Sequence, residues 1–446
     1  MTHRELRTFR KSMSLSGTRT YVGFGFGAIQ AGLFLYEAFR SGAFRRLVVA
    51  EVVPEVVSAV RRNGGRYTLN MALPDRIVRA EIGPVDLLNP NDPADREALV
   101  QAIVGAEELG TAVPSVQFFT SAEPGSLHRV LARGIRLKAA HGGPPSVLYS
   151  AENHNHAAEI LSEQVASEVP PSERQAVLSR IRFLNTVVGK MSGVLSDPAE
   201  ISAAGLAPVT PDSQRAFLVE SFNRILISRI DFQDSFQRGI AVFEEKNDLL
   251  PFEEAKLYGH NATHALAAYL GAICGATTIA DLRARPGMMS FLRKAFVEES
   301  GGALVRKYAG LDPLFSPAGY AAYADDLLVR MTNPFLRDLV ERVGRDPHRK
   351  LGWDDRLVGT MRLAFAQGIE PRRYALGAAA ALARLAPPLL EQPDLSIDRT
   401  LRPLWEPAKP DEREAQRVLE TIVAARARLV AWRRAGCPAP DVFFED

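Results

Sequence analysis

Four residues within nine positions carry the most chemistry in this sequence. In KLYGHNATHALAAYL (256–270), Lys256, His260, Asn261 and His264 combine a titratable amine, an amide and two imidazoles. Placed on one α-helix at about 100° per residue, Lys256, His260, His264 and Asn261 fall at roughly 0°, 40°, 80° and 140°, all on one side. Three readings compete. The set can be an ordinary polar helix face. His260 and His264, four apart, have the spacing of paired zinc ligands and could join His154 and His156 of ENHNH, although Asn261 stands where a zinc protease has its glutamate base. In the third reading Lys256 is a general base toward an alcohol, Asn261 donates to the developing alkoxide, and His264 fixes a substrate hydroxyl. A lysine whose pKa is lowered by burial or a nearby cation can take that proton. From Lys256 to His264 the helix rises roughly 12 Å at about 1.5 Å per residue, room for a sugar-sized molecule.

A second chemical feature precedes this one. Gly23, Gly25 and Gly27 lie where the apolar run TYVGFG (20–25) gives way to the helical AIQAGLFLYEAFRSG (28–42). A glycine-rich strand-to-helix turn lets backbone N–H groups approach a pyrophosphate, and the helix N-terminus favours its charge. Read from Gly25 the motif is G-F-G-A-I-Q, with Gln30 in place of the third glycine; read from Gly23 it ends in a permitted Ala28. The next strand, RLVVAEVV (46–53), contains Glu51, a carboxylate placed to accept both adenosine ribose hydroxyls and to repel a 2′-phosphate. Gly25, Gly27, Ala28, Ile29, Glu51 and Thr120 are therefore the expected contacts of NAD; a tight turn with a solvated glutamate is the plainer alternative.

The surrounding pattern supports such a turn. A helix over PEVVSAVRRNGG follows the second strand, SVQFFT (115–120) and SVLYSAEN (146–153) read as short buried strands, and a helix is expected between them at roughly 124–139. Alternation of this kind predicts a doubly wound parallel sheet. From about 212 the character becomes helical, with segments expected at 212–226, 251–270, 286–308, 317–330, 334–343, 354–367 and 371–386. A Pro-rich irregular stretch follows residue 387, and a helix at 411–434 closes the pattern. The expected fold is α/β: a basic arm over 1–19, a Rossmann-type domain over 20–208, and a mainly helical substrate domain over 209–446.

The totals narrow the class. At 446 residues two domains are expected, and 46% hydrophobic with 24% charged residues is ordinary for a soluble globular protein. A balance of 54 basic against 52 acidic residues gives no global reason to bind nucleic acid or a membrane surface. The two cysteines, Cys274 and Cys437, stand far apart without a CxxC partner, which speaks against a disulfide framework and fits a reducing cytoplasm. No apolar run is long enough to span a membrane, and the basic N-terminus lacks a signal-peptide core.

The segment from Lys256 to His264 resembles the K-x4-N-x2-H signature of the polyol-specific long-chain dehydrogenases/reductases. FGFGAIQAG, SAENHNHA, EESGGALVRKYAGLD, NPFLRDLVERVGRDPHRKLGWDDRL and GAAAALARL are similar to further stretches of that family, in the same order, over about 20–385. The resemblance implies metal-independent, NAD(P)-linked oxidation of a secondary alcohol to a ketone. It makes Lys256 the acid/base, Asn153 and Asn261 the pair that stabilises the alkoxide, His264 the hydroxyl ligand, and Glu51 the ribose acid. The chain departs from the family at Ala31, where an arginine is common, at Gly189-Lys190, where an Asp-Arg pair is usual, and at His260, usually an apolar position.

The run RVGRDPHRKLGWDDRL (342–357) concentrates cations in a segment broken by glycine and proline. It resembles the phosphate-specific members of the family, so Arg345, Arg349 and Lys350 become the candidates for a substrate phosphate, with His260 also lining the pocket; a solvated basic surface is the alternative. The expected partner is a small molecule, a sugar-alcohol phosphate or ketose phosphate, with mannitol 1-phosphate and fructose 6-phosphate the expected couple. A hexuronate reductase, a plain polyol dehydrogenase and a silent dinucleotide-binding sensor are the rivals, and a monomer or homodimer is expected.

Overall fold

The computed structural model describes residues 17–392 and 395–444, so most of the basic arm expected over 1–19 lies outside the described residues. The chain divides into two compact units, 1–249 and 250–446.

Among its described residues the first unit carries twelve strands: β1 Arg19–Phe24, β2 Phe44–Ala50, β3 Tyr67–Ala72, β4 Ile77–Ile82, β5 Asp86–Leu88, β6 Glu108–Thr111, β7 Ser146–Ser150, β8 Ile181–Val187, β9 Ser192–Leu195, β10 Ala216–Glu220, β11 Leu226–Ser228 and β12 Glu244–Lys246. The large sheet runs β12-β11-β8-β7-β6-β1-β2-β5, and the six strands from β8 to β5 are parallel. Strands β1 and β7 near its centre are buried on both faces, which is why they do not alternate between apolar and polar residues. Tyr21 packs with Phe34 and Tyr149 on one face; Val22 and Phe24 join the helices Pro93–Gly105, Leu127–Ala140 and Ala157–Ser167 on the other. A second sheet, β4-β3-β10-β9, completes the unit.

Three expectations fail for identifiable reasons. SVQFFT is not a strand: Ser115 caps a 3-10 turn at Val116–Phe119, its hydroxyl accepting from Gln117 N, a local bond that competes with ladder pairing. The strand in that region is β6, disguised by Glu108, whose buried carboxylate is satisfied by the Tyr149 hydroxyl at 2.8 Å and by backbone N–H groups of Gly239 and Ile240. The segment 212–226 is not helical, because the aromatic and β-branched residues of β10 pair with β3 and β9. Since β10, β11 and β12 all pair with strands of the first unit, residues 209–249 belong to it, and the division falls at 249/250 and not at 208/209.

Among its described residues the second unit is built of helices joined by turns and loops, with one isolated bridge, Thr278 to Leu339. Its centre is the helix Arg372–Leu385, buried from Tyr374 to Ala383, whose alanines let it pack closely against Ala262–Ile273 and Glu412–Arg434. The helix expected over 334–343 is interrupted. Asn333 caps a 3-10 turn at Pro334–Leu336, Arg337 takes a left-handed conformation at φ 49°, and helix resumes only at Val340–Val343. The tail beyond 387 is less irregular than expected, with helices Pro388–Glu391 and Asp398–Trp405.

Candidate active site

In the first unit the glycine turn leaves β1 between β6 and β2, where the strand order reverses; open α/β sheets bind ligands at such a switch point. Gly25 has φ 82°, and a Cβ there would stand 2.9 Å from the Ala112 carbonyl oxygen, so only glycine fits. A Cβ at Gly27 would meet nothing within 4 Å, which leaves open space over the backbone at the start of the helix. Between them Phe26 is buried edge-on against Tyr67 and Phe217. The Glu51 carboxylate accepts from Phe26 N and from Val53 N, each at 2.9 Å, tying the turn to the end of β2. Each oxygen still has a lone pair for a ribose hydroxyl. Ala28 is buried and Ile29 half-buried against the core, so their backbone rather than their side chains faces a ligand. This cradle fits the adenosine diphosphate half of a dinucleotide.

Thr120 is exposed just beyond the 3-10 turn. Asn153 is exposed in the segment after β7, displayed by its neighbour Glu152, which is buried and accepts from Thr111 Oγ1 at 2.8 Å and Val113 N at 2.9 Å. Burial raises the Glu152 carboxyl above its ordinary value. His154 and His156 are exposed, and among the described residues no group of three or more His, Cys, Asp or Glu side chains assembles as a metal site.

In the second unit the segment Ala255–Asn261 is a π-helical turn, not plain α-helix. Its i→i+5 bonding brings Lys256 and Asn261, five apart, closer in azimuth than α-geometry gives. Gly259 lets this turn pack closely: a Cβ there would lie 2.4 Å from the Tyr320 hydroxyl and 2.7 Å from the Phe296 ring. Lys256 is half-buried, and neither it nor Asn261 makes a side-chain hydrogen bond or ion pair among the described residues. Burial holds the Lys256 ammonium down to about 8; the positive charge of Arg356 adds to this, against a smaller opposing effect of Glu253.

His260 is buried, and burial first, then His264 and Arg330, push its imidazole well below the ordinary range, so it is neutral at pH 7. Its ring centroid lies 6.1 Å from that of His264. His264 places Nε2 2.9 Å from Oδ2 of the buried Asp338, with the oxygen off the line of the ring N–H.

The basic run separates into unlike parts. Arg345 and Arg349 are exposed, and Arg349 pairs with Asp346 at 3.2 Å. Lys350 is buried instead, its ammonium donating to the carbonyls of Val343 and Arg345, so it closes the loop and is not presented to solvent. Arg356 pairs with Asp355 at 2.7 Å, and Thr360 Oγ1 ties its carbonyl and that of Tyr258 together. Arg356 and Asp338 were not singled out in the sequence; Arg356 is one cation among several there, and Asp338 has no motif of its own.

The mannitol dehydrogenase C-terminal domain model matches residues 248–424, the stretch that contains the π turn. Mannitol-1-phosphate 5-dehydrogenase of Bacillus licheniformis is 31% identical over 363 residues, covering 80% of this chain and 86% of that one. The chain belongs to the polyol dehydrogenase family. Members of this family are NAD-dependent oxidoreductases acting on secondary alcohols. Two solved structures share the fold: D-sorbitol dehydrogenase in substrate-free form, with TM-score 0.75 and 15% identity over 96% of both chains, and Pseudomonas fluorescens mannitol 2-dehydrogenase with NAD and D-mannitol, with TM-score 0.62 and 18% identity over 95% and 94%. No helix among the described residues is long and apolar enough to cross a membrane.

Proposed function

We propose that this protein is an NAD-dependent dehydrogenase interconverting a sugar-alcohol phosphate and a ketose phosphate, with mannitol 1-phosphate and fructose 6-phosphate as the couple. The observation that carries the reading is Lys256, an amine held near 8 with its hydrogen-bonding capacity unspent. At neutral pH such an amine takes a proton from an alcohol in one direction and returns it to a ketone oxygen in the other. NAD, when bound, accepts the hydride from the carbinol carbon. Asn261 on the π turn and Asn153 after β7 are assigned the developing alkoxide as amide donors. His264 holds a neighbouring substrate hydroxyl, and neutral His260 lines the pocket. In the first unit Gly25, Gly27, Ala28 and Ile29 offer backbone to the pyrophosphate, Glu51 takes the ribose, and Thr120 borders the cofactor.

The phosphate assignment rests on the exposed guanidinium groups of Arg345 and Arg349, whose forks suit phosphate oxygens, and on the name of the Bacillus licheniformis relative. The test is NADH consumption with fructose 6-phosphate, fructose and tagaturonate offered separately. Turnover confined to fructose 6-phosphate supports the proposal. Preference for tagaturonate transfers the basic loop to a carboxylate substrate, and silence with all three removes the reading.

A further inference from the structure

The Asp338–His264 pair is more elaborate than a pocket wall requires. Asp338 lies in the short extended stretch between Leu336 and Val340, after the left-handed Arg337. That stretch is pinned from outside: Ile279 N donates to the Asp338 carbonyl at 2.8 Å, Val340 N donates to the Thr277 carbonyl at 2.9 Å, and Thr278 bridges to Leu339. A non-glycine residue at positive φ is held only where its surroundings over-determine it. The result is a carboxylate only 3% exposed, with one oxygen on the Arg342 guanidinium and the other 2.9 Å from His264 Nε2. Burial alone raises the Asp338 carboxyl, but His264 and Arg342 outweigh it and hold it below the ordinary carboxylate range, so it stays charged at neutral pH. His264 Nε2 is itself buried, whereas Nδ1 makes no hydrogen bond among the described residues.

We infer that Asp338 is a positioning residue that fixes the tautomer of His264. Its carboxylate keeps the proton on Nε2, leaving the Nδ1 lone pair to accept a hydrogen bond from a substrate hydroxyl. A small rotation of the imidazole about its broad χ2 well brings the Nε2–H into line, as happens when a site tightens around its ligand. No proton leaves the pair; His264 is an acceptor and orients the substrate, while Lys256 does the proton transfer. This rests on the reading of His264 as the hydroxyl ligand.

Asp338→Asn places an amide N–H against Nε2 and favours the Nδ1–H tautomer, which can only donate to the hydroxyl. Loss of a partner that orients an imidazole typically costs about 10- to 100-fold, and that loss in kcat/KM is expected here with NADH affinity unchanged. The direct readout is the pair of ring-nitrogen NMR shifts of His264 in protein labelled at histidine, assigned with His264→Gln. Wild type should show Nε2–H and the variant Nδ1–H. Nδ1–H in the wild type, or kcat/KM within twofold in Asp338→Asn, overturns the inference, and the wild-type spectrum decides it even if the variant does not fold. If His264→Gln keeps full activity while the wild-type spectrum shows Nε2–H, the substrate-ligand reading falls and the tautomer assignment stands.

Discussion

The π turn around Lys256 and the loop that carries Lys350 each take an ammonium out of water, and each holds it to about 8. The causes match: burial comes first in both, and the charge of Arg356 second. The surroundings do not match. Lys350 donates to the carbonyls of Val343 and Arg345 and stands 5.9 Å from the Tyr269 ring, so its hydrogens are committed to holding a loop. Lys256 has no such partner among the described residues and stands beside Asn261 on a turn whose geometry departs from α-helix. A lowered pKa marks both lysines; unspent hydrogen-bonding capacity marks only one. Burial that serves folding satisfies the polar group it hides, whereas burial that serves chemistry leaves the group waiting for a substrate.

The sharpest way to break this comparison is to remove each ammonium in turn, and Lys256→Met should give the largest effect. Turnover should fall by about 10²- to 10⁴-fold, the usual range for a lost general acid/base, with NADH binding by fluorescence titration unchanged. Stability should move the other way. Lys256 sits near 8 in the fold against an ordinary 10.5, so between those values the unfolded chain binds more protons than the native one. The cost of burying the ammonium is therefore complete below about 8 and gone above 10.5. The variant should melt higher than wild type at pH 7, with the difference closing as pH rises through that window. Activity within tenfold of wild type would remove Lys256 from the proton-transfer role.

A second test concerns the two exposed arginines of the basic loop. If Arg345 and Arg349 meet the substrate phosphate, their joint replacement by alanine removes charge-assisted hydrogen bonds worth about 1.5–3 kcal/mol each. KM for fructose 6-phosphate should then rise by about 10²- to 10⁴-fold, with kcat little changed, because the phosphate is held equally in the ground and transition states. A change of less than twofold in KM would return this loop to ordinary solvated surface. Arg356→Met comes next in size. Removing the cation lets Lys256 rise from about 8 toward its ordinary 10.5, and a shift of about one unit in the pH profile of alcohol oxidation is expected. At pH 7 that amounts to roughly tenfold less oxidation, and a profile that does not move would show that burial alone sets the lysine.

These residues also show what a sequence can reveal and what it cannot. The glycine turn and the Lys-Asn-His spacing are legible because each is a local demand: a positive φ at Gly25, or functional side chains within three turns of helix. The close packing at Gly259 is not legible, since it involves Tyr320 and Phe296, residues distant in sequence. Strand β6 hides for the same reason, because a glutamate in a central strand reads as surface until Tyr149, Gly239 and Ile240 are seen to satisfy it. Asp338 lies in a family-like stretch but carries no chemical signal of its own, its setting coming from a bridge to 277–279 and the proximity of His264. In the basic run, composition counts charges but cannot tell which point outward. There Arg345 and Lys350 look alike, yet one is exposed and the other is 3% exposed.

Lys350→Met should produce the smallest catalytic effect and so tests the comparison from its other side. It leaves the part-buried carbonyl oxygens of Val343 and Arg345 without this donor, each at a cost toward the lower end of about 1–3 kcal/mol. Relief of the buried charge works in the opposite direction, but a methionine fills the space without restoring either bond. The two orphaned acceptors should therefore win, with a lower melting temperature at pH 7 and kcat/KM within threefold of wild type. Raising the pH makes the sign decisive. Above about 8 the wild-type amine loses its charge while still donating hydrogens, so wild type sheds the desolvation cost and keeps the bonds. The stability gap between wild type and Lys350→Met should widen there, just as the gap for Lys256→Met narrows. Were the two lysines physically equivalent, both gaps would move together.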